Sequence, residues 1–357
     1  MPSFDVRTSQ RAYRAVVERG ILAQLGRFVP EKAGRLFVVT EEAIWRLHSA
    51  RVERGMAGRG FEVLFFPGGE ERKRLSSVEA LAEQMMARGG DRSSVVIAFG
   101  GGVVNDVAGF LAAIFMRGVP VIQAPTTMLA QVDAAIGGKT GVNLEAGKNL
   151  AGSFHRPLAV LIDPDVLGTL PEREYRAGLY EIIKCGVIWS LDLFELMRDH
   201  HAEVLARAPN VVERMIEESV RIKAEVVSAD EREGDLRRIL NFGHTYGHAL
   251  EAETAYSRYL HGEAVAFGMR AAVYLAEMSG HLSAEDSVEV LNTIALYGPI
   301  PPLEGIRAER LVARLGSDKK TVQGRIHFVL PEKVGQVKVV SGLEESAVLA
   351  AAQAALA

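Results

Sequence analysis

Ser94-Val95-Val96-Ile97-Ala98-Phe99, followed at once by Gly100-Gly101-Gly102 and by Asn105-Asp106 heading a further apolar run, is the stretch that decides the fold. A short uncharged run rich in β-branched residues suits a strand covered on both faces. The glycines permit a sharp turn, and residues 104–115 then have helical spacing. Strand, glycine turn and helix in that order is the unit of a parallel α/β sheet.

Residues 35–40, 61–66, 119–123 and 158–162 read as further strands, several continuously apolar, with helical spacing between them, as at 78–86. This alternation predicts an α/β domain, Rossmann-like and doubly wound, over residues 1–165. After Asp163-Pro164 the character changes. Residues 172–197, 210–228, 236–255 and 262–277 are long, alanine-rich and amphipathic. They predict an all-α second domain over 166–357, relieved only by a late strand pair, 324–330 against 335–340.

The 357 residues, 48% of them hydrophobic, are enough for two cores. A formal net charge of −4 without long single-sign runs gives no footprint for nucleic acid or an anionic membrane. The N-terminus lacks a signal-peptide layout, no apolar run reaches membrane-spanning length, and the single Cys185 fits a reducing compartment. The expectation is a soluble cytoplasmic protein.

Three constellations carry chemistry. The triple glycine heads a helix whose free N–H groups favour phosphate, although its spacing is not the dinucleotide fingerprint and a plain strand-to-helix turn reads the same way. Glu41, ending the 35–40 strand, is placed to accept from a ribose 2′-hydroxyl, which favours NAD over NADP. A second segment, Gln131 to Thr140 with Asp133 and Gly137-Gly138-Lys139, and then Gly147-Lys148-Asn149, reads equally as an anion site or a solvated loop. In the helical half, Asn241-Phe242-Gly243-His244-Thr245-Tyr246-Gly247-His248 puts two histidines one turn apart. That spacing nominates both as ligands of one metal, or as a core pair. Glu181, Lys184, Arg237 and His261 tip the reading to function. Lys223 reads as an ordinary helix lysine.

Together the motifs carry a resemblance. Pro-Gly-Gly-Glu-Glu-Arg-Lys (67–73), Gly-Gly-Gly-Val-Val-Asn-Asp (100–106), Phe-Met-Arg-Gly (115–118), Pro-Thr-Thr-Met-Leu-Ala-Gln-Val-Asp (125–133) and Ile-Gly-Gly-Lys-Thr (136–140) form its first half. Gly-Lys-Asn-Leu (147–150), Glu-Ile-Ile-Lys (181–184), Arg-x-x-x-Asn-Phe-Gly-His-x-x-Gly-His (237–248), His-Gly-Glu-Ala-Val (261–265) and Asp-Lys-Lys (318–320) complete it. In this order and spacing the chain resembles the 3-dehydroquinate synthases, from about residue 36 to 340.

The resemblance implies a dehydroquinate synthase-like fold, an NAD-binding domain and a metal-binding domain with the active site between them. It implies zinc, or cobalt in its place, on Glu181, His244 and His261, and moves His248 from the metal to the substrate. NAD contacts would fall on Glu41, Gly69, Glu70, Lys73, Gly101, Gly102, Val103, Val104, Asn105, Asp106, Thr126, Thr127, Lys139, Lys148 and Thr169. The catalytic and substrate set would be Asp133, Lys139, Asn149, Lys184, Lys223, Arg237, Asn241, His248 and one of Lys319 and Lys320. Arg117 would reach in from the partner of a homodimer. Asn105 stands where the family more often has Gly, Gly141-Val142 where Ala-Ile is common, and Glu41 where Asp or Asn is usual.

The implied substrate is a phosphorylated seven-carbon keto-sugar acid (DAHP), and the implied step is the second of the shikimate pathway. Transient oxidation at C5 acidifies the neighbouring C–H, phosphate leaves by β-elimination, hydride returns, and an aldol step closes the ring. Two rivals share the parts: a sister cyclase making a valiolone- or inosose-type ring, and a metal-dependent polyol dehydrogenase. The basic cluster favours a substrate carrying both carboxylate and phosphate.

Overall fold

The computed structural model describes residues 2–9, 12–232, 234–315 and 326–357. It divides into two compact units: 1–171 with 223–228, and 172–222 with 229–357.

The first unit is built on a seven-stranded sheet. Its strands are β1 (Ser3–Val6), β2 (Tyr13–Val17), β3 (Leu36–Thr40), β4 (Glu62–Phe65), β5 (Val95–Gly100), β6 (Val121–Pro125) and, after a separate hairpin of β7 (Lys139–Leu144) and β8 (Gly147–Phe154), β9 (Ala159–Ile162). The order across the sheet is β1-β2-β9-β6-β5-β3-β4. All neighbours are parallel except β1 on β2. Three helices intervene: α1 (Glu42–Gly55), α2 (Leu75–Ala87) and α3 (Gly102–Ile114).

Alternation along the strands divides the core. Phe37, Val39, Val96, Ala98 and Val121 face α2 and α3, whereas Leu36, Val38, Ile97, Phe99 and Ile122 face α1. The chain therefore places α1 and α3 on opposite faces after the adjacent strands β3 and β5. From β4 to β9 the order has the flavodoxin-like pattern, and the reversal between β3 and β5 opens a crevice at their carboxyl ends. Thr40-Glu41 and Gly100-Gly101-Gly102 lie at that point.

The second unit contains α4 (Glu172–Trp189), α5 (Leu191–Asp199), α6 (His201–Leu205), most of α7 (Pro209–Ala229), α8 (His244–Glu253), α9 (His261–Met278), α10 (Ala284–Leu296), α11 (Ala308–Leu315) and α12 (Glu345–Leu356). The expected late strand pair is present as the antiparallel hairpin β10 (His327–Lys333) and β11 (Gln336–Ser341), so the unit is mostly, not wholly, helical.

Two expected helices are broken. The run at 172–197 divides at Ser190, whose hydroxyl caps α5 by accepting from the Leu193 N–H (3.3 Å). The run at 236–255 divides at Gly243, which is left-handed (φ 80°), leaving Leu236–Asn241 as a separate 3-10 turn. Arg237 and Asn241 thus do not share the helix of His244. Strands β1 and β2, and the β7–β8 hairpin in place of a glycine-rich loop, went unread in the sequence.

Candidate active site

In the first unit, the turn from β5 into α3 is tight because no side chain obstructs it. A Cβ on Gly101 would lie 3.0 Å from Thr127 Cγ2, and one on Gly102 3.3 Å from the Ala134 Cβ. Gly101 caps α3 without any side-chain hydrogen bond, so the first-turn N–H groups face outward uncapped. The Thr126 N–H donates to Gly100 O (2.9 Å), bringing Thr126 and Thr127 beside the glycines. Such a cradle fits a pyrophosphate.

Asn105 shows how the sequence departs from glycine there without filling the cradle. Its Nδ2 donates back to Ala98 O (3.2 Å) within β5, so its side chain is turned to the sheet. Val104 likewise packs on Gly100, and both residues offer a ligand only their backbone.

A polar network stands beside the turn. Buried Lys73 donates to Asp106 Oδ2 (2.5 Å) and to Asn149 Oδ1 (2.6 Å). Burial raises the Asp106 carboxyl above its ordinary value, and the Lys73 charge opposes that rise. Asn143, a residue sequence reasoning missed, ties the network to the hairpin. Its amide donates to Glu70 Oε1 (2.8 Å), and its oxygen accepts from the Asn149 N–H (2.8 Å). Asn149 is itself left-handed (φ 53°), a conformation asparagine tolerates. Lys148 lies 3.9 Å from Glu70, and Lys139 is exposed at the start of β7.

Asp133 sits in a π-helical turn, Ala130–Ala134, closed by Ala135 N–H donating to Ala130 O (3.1 Å). Turns of this kind recur at functional sites. Lys223, on the part of α7 that packs with this unit, donates to Asp133 and is buried. It is not the solvated helix lysine its local sequence implied.

In the second unit, Glu181 on α4, His244 heading α8 and His261 heading α9 present ligand atoms all within 4.8 Å of one another. Glu181 is the informative member. Lys184, one turn on, donates to Oε2, while Oε1 is buried and has no hydrogen-bond partner among the described residues. Both imidazole Nε2 atoms lie 3.8 Å from that oxygen, too far to satisfy it. A buried carboxylate oxygen left so costs about 1–3 kcal/mol. Ligand atoms around one tetrahedral zinc stand roughly 3.4 Å apart, given bonds of about 2.1 Å. A divalent ion held by these three atoms would satisfy the orphan oxygen.

The outer nitrogens agree. His261 Nδ1 lies 3.2 Å from Glu251 Oε2, and His244 Nδ1 lies 3.1 Å from Phe242 O. Carboxylate and carbonyl partners there hold the ring proton on Nδ1, which makes each Nε2 the ligand atom. Glu251 also went unread. Its signal was the His248-x-x-Glu251 spacing on α8. His248, with its ring 5.5 Å from that of His244, belongs to a second convergence, His248, Glu251 and His261, in which no oxygen is orphaned.

Arg237 is buried, donating to Glu231 O (2.6 Å), with its N–H held by Asp230 (3.0 Å). Lys319 and Lys320 lie outside the described residues. No described helix is long and apolar enough to cross a membrane.

Residues 63–177 match the 3-dehydroquinate synthase N-terminal family and residues 178–321 the C-terminal family. The 3-dehydroquinate synthase of Solibacter usitatus is 64% identical over 357 residues, covering 100% of both chains. Among solved structures, 2-epi-5-epi-valiolone synthase from Streptomyces hygroscopicus subsp. jinggangensis 5008, with NAD+ and Zn2+ bound, has a TM-score of 0.89 at 29% identity, covering 98% of each chain. A 2-deoxy-scyllo-inosose synthase complexed with carbaglucose-6-phosphate, NAD+ and Co2+ gives 0.88 at 26% identity, covering 98% of this chain and 99% of that one. With the whole chain covered at that identity, and with the glycine turn and Glu181-His244-His261 in place, the chain belongs to the 3-dehydroquinate synthase family.

Proposed function

We infer that the protein converts DAHP to 3-dehydroquinate and inorganic phosphate, using NAD and a divalent metal, zinc or cobalt. The 64% identity over all 357 residues to a 3-dehydroquinate synthase carries this reading. Bound NAD supplies a reversible hydride acceptor, and a bound divalent metal a Lewis acid.

Residues 1–165 are proposed as the NAD-binding domain and 166–357 as the metal- and substrate-binding one. Gly101, Gly102, Thr126 and Thr127 would take the pyrophosphate, with Val103, Val104 and Asn105 contributing backbone. Glu41 and Thr169 would meet the nucleoside, and Gly69, Glu70, Lys73, Asp106, Lys139 and Lys148 the rest of the cofactor. Glu181, His244 and His261 would hold the metal.

Lys139, Lys184, Lys223 and Arg237 supply the positive charge that a substrate with a carboxylate and a phosphate needs, and a neutral polyol does not. Asp133 would orient Lys223, whose ammonium it already accepts from. Asn149 and Asn241 offer amides to hydroxyls, and His248 an imidazole for proton transfer. Arg237, Asn241, Lys223 and His248 together favour the carboxylate-bearing substrate over the sugar phosphates of the sister cyclases.

The assembly proposed is a cytoplasmic homodimer in which Arg117 completes the partner's site. Cys185, buried and the single cysteine of the chain, fits a reducing compartment.

The test supplies purified protein, NAD and zinc with DAHP. Phosphate should accumulate while absorbance at the NADH band stays flat. Steady NADH accumulation, or turnover only of a neutral polyol, would overturn the reading.

A further inference from the structure

His48 is a buried histidine with no part in the proposed chemistry. It lies on α1, the helix leaving β3 on one side of the crevice, with its ring edge-on to Phe99 near the end of β5 (centroids 6.3 Å apart). Its Nε2 is 2.9 Å from Thr169 Oγ1. Thr169 ends the 3-10 turn Pro164–Thr169 that follows β9, a strand two places from β5 in the sheet. Nothing in the strand order brings that turn to the β3–β5 crevice. The α1 face does. Arg51, one turn beyond His48, stands 3.9 Å from carboxylate oxygens of both Asp163 and Asp165, at the other end of the turn.

The direction of the hydrogen bond follows from the Thr169 hydroxyl. Its proton is donated to Val166 O (3.1 Å), so toward His48 the oxygen accepts and Nε2 carries the hydrogen. Burial, and secondly Arg51, lower the His48 pKa, so the ring is neutral at pH 7 and Nε2–H is its one N–H. With its proton and one lone pair committed, Thr169 Oγ1 has a single lone pair left. Toward a ligand it acts only as an acceptor, for a hydroxyl or amino hydrogen.

We propose that His48 is a positioning residue for the dinucleotide, holding the Thr169 turn at the switch-point crevice and fixing Thr169 as an acceptor for a donor group of the nucleoside. This rests on the reading of NAD as cofactor and Thr169 as one of its contacts.

The experiment measures NAD affinity by quenching of protein fluorescence in zinc-loaded protein, without substrate. H48Q, whose side-chain amide reaches the Nε2 position with a donor, should bind within about twofold of wild type. H48L and H48N have no donor there and should weaken NAD about five- to tenfold, the scale of one hydrogen bond. T169V should weaken it similarly, and H48L with T169V should be no weaker than T169V alone, because both remove one linkage. Zinc content should stay at one per chain throughout. Wild-type affinity in H48N, equal loss in H48Q and H48N, or fully additive losses in the double variant would overturn the proposal. Wild-type protein that binds no NAD would instead sink the cofactor reading, and the proposal with it.

Discussion

At the scale of residues, the orphan Oε1 of Glu181 is the most telling atom of the second unit. Local sequence made His244 and His248 equivalent, one helical turn apart. The structure separates them, because His244 and His261 point Nε2 at that oxygen while His248 belongs to the set without an unmet group. His244→Ala should therefore abolish stoichiometric zinc, and His248→Ala should keep it while losing turnover. Metal analysis of the two proteins decides, and equal loss of zinc would reverse the assignment. Glu251→Ala leaves all three proposed ligands in place but removes the carboxylate that holds the His261 ring. It should weaken zinc about 10- to 100-fold in a chelator competition, the usual cost of losing an outer carboxylate.

At the scale of elements, the proposed metal ligands depend on how closely α9 packs against α8 and α4. A Cβ on Gly268 would lie 1.8 Å from Gly243 O and 2.7 Å from the Gly247 nitrogen, and one on Gly262 1.8 Å from Ala177 O. These obstacles are backbone, which cannot rotate aside. Gly268→Ala should cost about 3 kcal/mol or more, the upper end for overpacking. In a unit of this size that lowers Tm by roughly 6–12 °C. Because Gly243 immediately precedes His244, zinc occupancy should fall with it. A variant that melts like wild type and holds zinc would show that the crossing has slack. In the first unit, α3 plays the corresponding part. Its N-terminus is the uncapped glycine turn and its far end runs into Met116 and Arg117, both left-handed (φ 49° and 69°). Two such non-glycine residues in a row cost about 1–3 kcal/mol each.

At the scale of the whole molecule, that strained corner bears on assembly. The 13 residues of α3 span roughly 20 Å, so Arg117 is remote from its own chain's glycine turn. It is exposed and has no side-chain partner among the described residues. If it serves a second chain, mixing inactive Arg117→Ala protein with inactive His248→Ala protein should restore part of the activity, since some mixed dimers hold one intact site. No recovery despite demonstrated subunit exchange would place Arg117 in its own chain or nowhere. The fold class, the glycine turn and the residues worth testing were legible in the order of amino acids, because strand runs, helical spacing and short motifs are local properties read within a few residues. It also carried the late hairpin. It did not reveal the breaks at Ser190 and Gly243, where a cap and a left-handed glycine override helical spacing. Nor did it show Asn143, Glu251 or His48, whose partners lie 73, 10 and 121 positions away. Which histidine nitrogen faces Glu181, and which lysine is buried against which carboxylate, depends on contacts between distant segments. Only the packed chain decides those, because the cost of a buried unpaired charge exists only once water has been excluded.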